Sequence, residues 1–350
     1  MNNVAIVTIT RNGLKLGKKL INKFPTWTLF APAKFSDNDS HVTWFEEAVS
    51  IKMGEMFSKY DALVCIFSLG AVIRLVAPHL VDKKTDPAVI VIDDAATHVI
   101  SVLSGHIGGA NELSKVLADI LGAVPVITTA ADVNCTIAVD LVGRDLGWII
   151  DDDSKVTTVS ACMVNGESIG LLQQAGSKDW WKGVLPKNVT VYDTQDDLES
   201  ANPKAALFIT DKTTFLGIEN TVVYRPPSLV LGVGLHMDTT VQTISRGIDE
   251  TLEKFGLSLK SVSKIASIKK PVNVKGLEKY CKEHNLPIEY VDRTKLATIP
   301  APNPSETVKA LEGTSSVSEA AALLVSRGKL VVEKQKFPPD LTVAVARVED

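Results

Sequence analysis

Residues 97–122 read THVISVLSGHIGGANELSKVLADILG. Thr97 to Leu103 is strand-like, and Ile107 to Leu121 spaces its apolar residues as a helix does, with Gly122 a fitting stop. Between them lie Ser104, Gly105, His106, Gly108, Gly109 and Asn111. Three glycines, an imidazole and an amide make poor core material at a strand-to-helix turn. They suit a turn that brings backbone N–H groups and one titratable side chain up to a ligand. Taken alone, the motif also fits a glycine-rich helix start with a satisfied histidine.

The flanks predict the same architecture on both sides. Upstream, Ala88–Asp93 (AVIVID) is a strand, and Asp61–Phe67 (DALVCIF) is the near-continuous apolar run of a strand buried on both faces. Val4–Ile9 and Trp27–Phe30 are further strands. Helical spacing appears at Leu14, Leu16, Leu20 and Ile21, over Trp44–Phe57, and over Val72–Val76. Downstream, Val124–Thr129 is the next strand. This alternation predicts an N-terminal α/β three-layer domain with a largely parallel sheet over 1–134. Residues 135–227 are more mixed, with a helix at Ile137–Leu146 and strands at Ser168–Leu172, Val189–Tyr192 and Ala205–Ile209. They read as a small α/β middle region ending in a linker, Tyr224-Arg225-Pro226-Pro227. Residues 228–350 read as a C-terminal α/β domain, opening on the strand Leu229–Gly234 and the amphipathic helix Thr240–Phe255.

The bulk numbers set limits. A chain of 350 residues, 45% apolar and 22% charged, has ample material for several cores. Its formal net charge of -4 gives no basic field for nucleic acid or anionic membrane. The segment 1–10 (MNNVAIVTIT) reads as a first strand rather than a targeting segment, and no apolar run approaches a membrane span. Cys65, Cys135, Cys162 and Cys281 are far apart and form no CxxC pair, as expected in a reducing cytoplasm. Asp151-Asp152-Asp153 reads as a solvated turn, and no His/Cys set suggests a metal held by the protein.

From Gly70 to Asp132 the residues form an ordered set. It comprises Gly70-Ala71-Val72-Ile73-Arg74, Asp82-Lys83, Asp86-Pro87, Leu103–Asn111, and Pro125–Ala130 with Asp132. Ala138-Val139-Asp140-Leu141 extends it. Further on stand Gly232 and Gly234, Pro302, Pro304-Ser305, Val308, Ser316-Val317, Glu319 and Lys334. In these residues the chain resembles the CbiG-type cobalt-precorrin-5A hydrolases of the anaerobic cobalamin pathway, over nearly its whole length. It departs from their pattern at Leu235–Thr239 and at Pro271 and Val274.

The resemblance implies hydrolysis of a δ-lactone on a cobalt-bearing tetrapyrrole, yielding acetaldehyde and cobalt-precorrin-5B. Cobalt would arrive in the substrate, with no cofactor held by the protein. Other corrinoid-pathway enzymes and a second copy of this chain are candidate partners. The chemistry needs a base, an oxyanion site and anchors for carboxylates. The expected catalytic residues are His106, which titrates near neutrality, Asn111 and Asp132. The expected substrate-binding residues are Arg74, Lys83, Ser104, Gly105, Gly108, Gly109, Thr128 and Thr129, with the glycine amides at a helix N-terminus. The loops 68–74, 104–109 and 128–132 are expected side by side at the strand ends, with the loop 78–87 closing over them. The alternative is a protein that binds and channels cobalt-corrinoid intermediates without transforming them. A nucleotide-binding module is disfavoured, because GHIGGAN lacks the GxGxxG spacing and no Walker sequence is present.

Overall fold

The computed structural model describes residues 1 and 3–349. By its contacts the chain forms two compact units, Met1–Leu141 and Val142–Asp350.

The first unit contains β1 (Val4–Thr8), α1 (Arg11–Ile21), β2 (Thr28–Pro32), β3 (Val42–Phe45), α2 (Val49–Lys59), β4 (Ala62–Ile66) and α3 (Leu69–Val76). It continues with β5 (Ala88–Ile92), β6 (His98–Leu103), α4 (Ala110–Leu121), β7 (Val124–Val126) and α5 (Ala130–Val133). The strands form one sheet in the order β3-β2-β1-β4-β5-β6-β7. Strands β1, β4 and β5 are buried throughout, as unbroken apolar runs require when both faces are covered. Leu14 and Leu20 of α1 and Leu113 and Leu117 of α4 pack on one face, against Ile6, Val64 and Ile90. Met53, Met56, Val72 and Val76 of α2 and α3 pack on the other, against Val7, Leu63 and Val89. The three-layer α/β expectation therefore stands.

Strand direction corrects one expectation. Strands β1 to β5 run one way, but β6 is antiparallel to β5, with Leu103 beside Val89, and β7 follows β6. The residues after β6 and β7 therefore emerge where β5 begins, at the edge opposite the end of β4. Loops 104–109 and 128–132 share an edge with the 78–87 loop, whereas Arg74, after β4, lies at the other.

Three local expectations also change. Trp44–Phe57 divides into β3 and α2, because Phe45 shares the core cluster of Met53 and Met56 and so mimics helical spacing. Helix α4 begins at Ala110, because Gly109 at φ 81° cannot extend a right-handed helix. Ile137–Leu146 forms two 3-10 turns, Val139–Leu141 and Arg144–Leu146, separated by Gly143 at φ 68°.

The second unit holds two sheets. The first of these has β8 (Ile149–Ile150), β9 (Ile169–Gln173), β10 (Val189–Tyr192), β11 (Ala205–Ile209) and β12 (Thr221–Arg225), in the order β10-β9-β11-β12-β8. Helices α6 (Val156–Val164) and α7 (Gln195–Ala201) accompany it. The second has β13 (Leu229–Leu235), β14 (Val262–Ile268), β15 (Ile288–Val291), β16 (Lys329–Phe337) and β17 (Leu341–Arg347), in the order β15-β14-β13-β17-β16. Helices α8 (Val241–Lys254), α9 (Lys275–Glu283), α10 (Arg293–Leu296), α11 (Glu306–Glu312) and α12 (Ser318–Ser326) belong with this sheet. Ser305 caps α11 by accepting from Val308 N, as its position in the sequence suggests. Tyr224 and Arg225, expected in a linker, are buried at the end of β12. Arg225 pairs with Asp151 at 2.7 Å, and Lys260 meets the same carboxylate at 2.7 Å, so Asp151 is an ion-pair anchor rather than part of a solvated turn. The four cysteines are free. Among the described residues no helix is long and apolar enough to cross a membrane.

Candidate active site

The turn after β6 is shaped by its small residues. Ser104 sits at φ 53° and Gly109 at φ 81°. A Cβ on Gly108 would stand 2.6 Å from the Ser104 carbonyl oxygen, closer than real Cβ atoms approach backbone. The turn closes on itself through Gly109 N to His106 O, Ala110 N to Ser104 O and Asn111 N to Gly105 O. The Gly109 amide, expected to face a ligand, is therefore used inside the turn. Ser104 Oγ donates to Asp86 O at 2.8 Å and ties the 78–87 loop to this edge.

His106 lies between two carboxylates. Its Nε2 is 2.9 Å from Asp132 Oδ2, and its Nδ1 is 3.3 Å from Asp140 Oδ1. Asn111 is only 4% exposed. Its Nδ2 donates to Thr129 Oγ1 at 2.9 Å and to Asp132 Oδ2 at 2.8 Å, while its Oδ1 accepts from Ser101 Oγ at 2.7 Å. The Asn111 amide thus orients Asp132 and is not presented to a ligand, which corrects the expectation of a catalytic donor. Lys115 Nζ stands 3.6 Å from the other oxygen of Asp132. A cavity of about 150 Å³ opens at this point, with His106, Lys115, Asp132 and Thr136 in its wall.

The electrostatics follow from the geometry. The Asp140 contact holds the His106 pKa above its ordinary value, burial opposes this, and Asp132 reinforces it. Burial pushes Asp140 up, but His106 and then Lys83 outweigh it and hold the carboxyl below its ordinary value. An imidazole between two carboxylates is therefore a ready proton carrier near neutrality.

The expected residues divide clearly. His106, Asn111, Asp132, Thr129 and Gly105 come together. Gly108 and Gly109 set the turn. Lys83 is exposed on the adjoining loop, and Thr128 is exposed just before α5. Arg74 is exposed on α3 and donates to Gly70 O at 3.0 Å, a helix-surface charge on the opposite edge. Asp140, Lys115 and Ser101 were not foreseen as site residues. Asp140 stood in view within Ala138–Leu141, but a helix expected there gave no reason to fold it back onto His106. Among the described residues no group of three or more His, Cys, Asp or Glu side chains is disposed to hold a metal ion.

An α/β unit with a histidine held between carboxylates in the wall of a cavity has the geometry for moving protons on a bound group. Residues 52–132 match the family model described as cobalamin synthesis G N-terminal. Residues 137–226 match the cobalamin biosynthesis central region, and 229–346 match the cobalamin synthesis G C-terminus. The chain is 38% identical to the cobalt-precorrin-5A hydrolase of Priestia megaterium, over 98% of this chain and 94% of that protein. It is 31% identical to the cobalt-precorrin-5A hydrolase of Salmonella typhimurium strain LT2, over 95% and 94% respectively. A solved putative cobalamin biosynthesis protein G homologue from Sulfolobus solfataricus aligns over 99% of this chain and 98% of that one, at 22% identity and a TM-score of 0.39. The chain belongs to the CbiG family of cobalamin-biosynthesis proteins. It is a hydrolase.

Proposed function

We propose that this protein opens the δ-lactone of cobalt-precorrin-5A with water, giving cobalt-precorrin-5B and acetaldehyde. The observation that carries the reading is His106 at the cavity wall with a carboxylate on each ring nitrogen. The named substrate of both relatives supports it.

In this reading Asp140 holds the proton of Nδ1–H and leaves Nε2 as the position where a proton moves. Asp132 Oδ2 stands 2.9 Å from Nε2, so as water attacks the lactone carbonyl its proton passes to the Asp132 carboxylate and from there to Nε2, and Lys115 offsets the charge developing on the carbonyl oxygen. Collapse breaks the ring C–O bond, and the alkoxide recovers the proton from the imidazolium. The products of this step are a carboxylic acid and a hydroxyethyl group on the macrocycle. Loss of the hydroxyl proton then breaks the carbon–carbon bond. The two-carbon unit leaves as acetaldehyde, the electron pair passes to the macrocycle, and a proton is added there. One water is consumed in all. Asp132 steadies the imidazolium, and Asn111 steadies Asp132. Lys83, Ser104, Thr128 and Thr129 serve the substrate's polar rim.

The test is purified protein given cobalt-precorrin-5A. One acetaldehyde per substrate, with product mass shifted accordingly, is the expected result. Tight binding with no acetaldehyde released would leave only the channelling role.

A further inference from the structure

Between β9 and β10 the second unit carries an aromatic corner that the His106 chemistry does not use, residues 178–187, KDWWKGVLPK. Val184 is 95% exposed, and among the described residues no large apolar side chain is more open to solvent. Trp180 and Trp181 are half-buried, on the 3-10 turn Lys178–Trp180 and the bend after it. A single exposed valine is ordinary. This one has an indole beside it, because Trp181 Nε1 donates to Val184 O at 3.3 Å.

The corner is held rigid from beneath. Trp148 is 7% exposed; its ring centre lies 6.4 Å from that of Trp180, which lies 6.2 Å from that of Trp181. Trp180 Nε1 donates to Gln173 Oε1 at 2.9 Å. Gln173 Nε2 in turn donates to the carbonyls of Ala175, Gly176 and Ser177 at 3.2, 2.8 and 3.0 Å. Gly176 takes φ 76°, and a Cβ there would stand 2.6 Å from Pro226 Cβ and 2.8 Å from Trp148 Cζ2. Val189 N closes the segment by donating to Pro186 O at 2.9 Å. A surface ordered before it binds loses little entropy on binding.

Charge surrounds the apolar centre. Lys178, Lys182 and Lys187 are exposed, against the one carboxylate of Asp179, so three lysines and one aspartate leave a local +2 on a chain of net charge -4. Among the described residues none of these lysines is in an ion pair. A tryptophan and a valine ringed by unpaired cations have the make-up of an interface centre with a steering rim. The magnitudes favour a protein partner. Three lysines and one valine on a short loop fall short of the two strong signals that stable membrane attachment takes. Nucleic acid calls for a wider basic field.

We propose that this corner is a docking surface for a second protein that presents carboxylates around an apolar cleft, with Val184 and Trp181 seated in the cleft and the lysines facing the carboxylates. The inference is independent of the proposed hydrolysis.

The probe is a dye-labelled helical peptide with a leucine stripe edged by glutamates, titrated against the full chain by fluorescence anisotropy. The wild type should bind it, and less tightly as salt rises. Val184→Glu and Lys182→Glu should each weaken binding about tenfold at unchanged Tm, and Trp181→Ala still more. Val184→Glu is the decisive variant, because a side chain this exposed can change without disturbing the loop. No binding at low salt, equal binding of a peptide with lysines in place of the glutamates, or variants that bind like the wild type would overturn the proposal. So would sedimentation of the wild type, but not of Val184→Glu, with vesicles of phosphatidylserine and phosphatidylcholine, which would assign the corner to a membrane. Tighter binding of a single-stranded DNA oligonucleotide than of the peptide would assign it to nucleic acid. A wild-type dimer in analytical ultracentrifugation that Val184→Glu splits would make it a face between copies and overturn it equally.

Discussion

At the scale of single residues, the surroundings of His106 set its chemistry. Two carboxylates favour the imidazolium, so the neutral base becomes available as pH rises through a value above that of a free histidine. The profile of kcat/KM against pH should therefore rise through a midpoint above the free-histidine value. Asp140→Asn removes the first cause of the shift and should move the midpoint down. An unchanged midpoint would mean that another group controls the rate. Asn111→Leu should reach the rate through Asp132 rather than through substrate. It removes the partner of Ser101 Oγ and one of the groups that orient Asp132, so it should cost about 1 kcal/mol in denaturant unfolding together with a fall in kcat. Arg74→Ala should leave KM unchanged, because that side chain lies across the sheet from the turn. His106, Asn111, Asp132 and Thr129 were legible in the sequence because all four belong to the turn or to the strand end beside it. Asp140 and Lys115 were not. One arrives through a 3-10 turn and the other from the second turn of α4, and neither position carries a local signal for chemistry.

At the scale of elements, the glycines of the turn decide its form. Gly108→Ala places a methyl group against the Ser104 carbonyl, and Gly109→Ala forces alanine to a left-handed φ at about 1–2 kcal/mol. Both should lower thermal stability and activity together, with the larger activity loss at Gly108, since relieving its clash must move Ser104 and the residues that hold His106. Loss of activity at unchanged stability would point to a direct role for these amides instead. Most strands were legible because their apolar runs are long and β-branched, and Val189–Tyr192 and Ala205–Ile209 have the limits read from the sequence. Boundaries failed where one spacing fits two structures, as at Trp44–Phe57, and where a left-handed glycine interrupts a helical pattern, as at Gly109 and Gly143. The direction of β6 has no signature in its residues. It is set by the tight Asp93–Thr97 turn, in which the Asp93 carboxylate accepts from Ala95 N and Thr97 N. That turn is too short for a crossover to a parallel neighbour.

At the scale of the molecule, the α/β class followed from alternating strand and helix patterns, but the ties between sheets did not. In the second unit Asp211, just beyond β11, is fully buried. It receives Arg347 of β17 at 2.7 and 2.9 Å and Ser228 Oγ at 3.0 Å. Sequence patterns mark neither partner, since the pair is distant in the chain and joins two different sheets. Asp211→Ala leaves Arg347 and Ser228 Oγ without their partner and should destabilise this unit by about 1–3 kcal/mol, read as a lower Tm by calorimetry. An unchanged Tm would mean that other contacts hold the two sheets. His106 is the centre of the proposed hydrolysis. The most direct measurement is acetaldehyde release from cobalt-precorrin-5A by the wild type and by His106→Ala, side by side at saturating substrate. Stoichiometric release by the wild type and a rate lower by about 10²–10⁴-fold in the variant is the predicted result. A folded His106→Ala protein that releases acetaldehyde at the wild-type rate would contradict it.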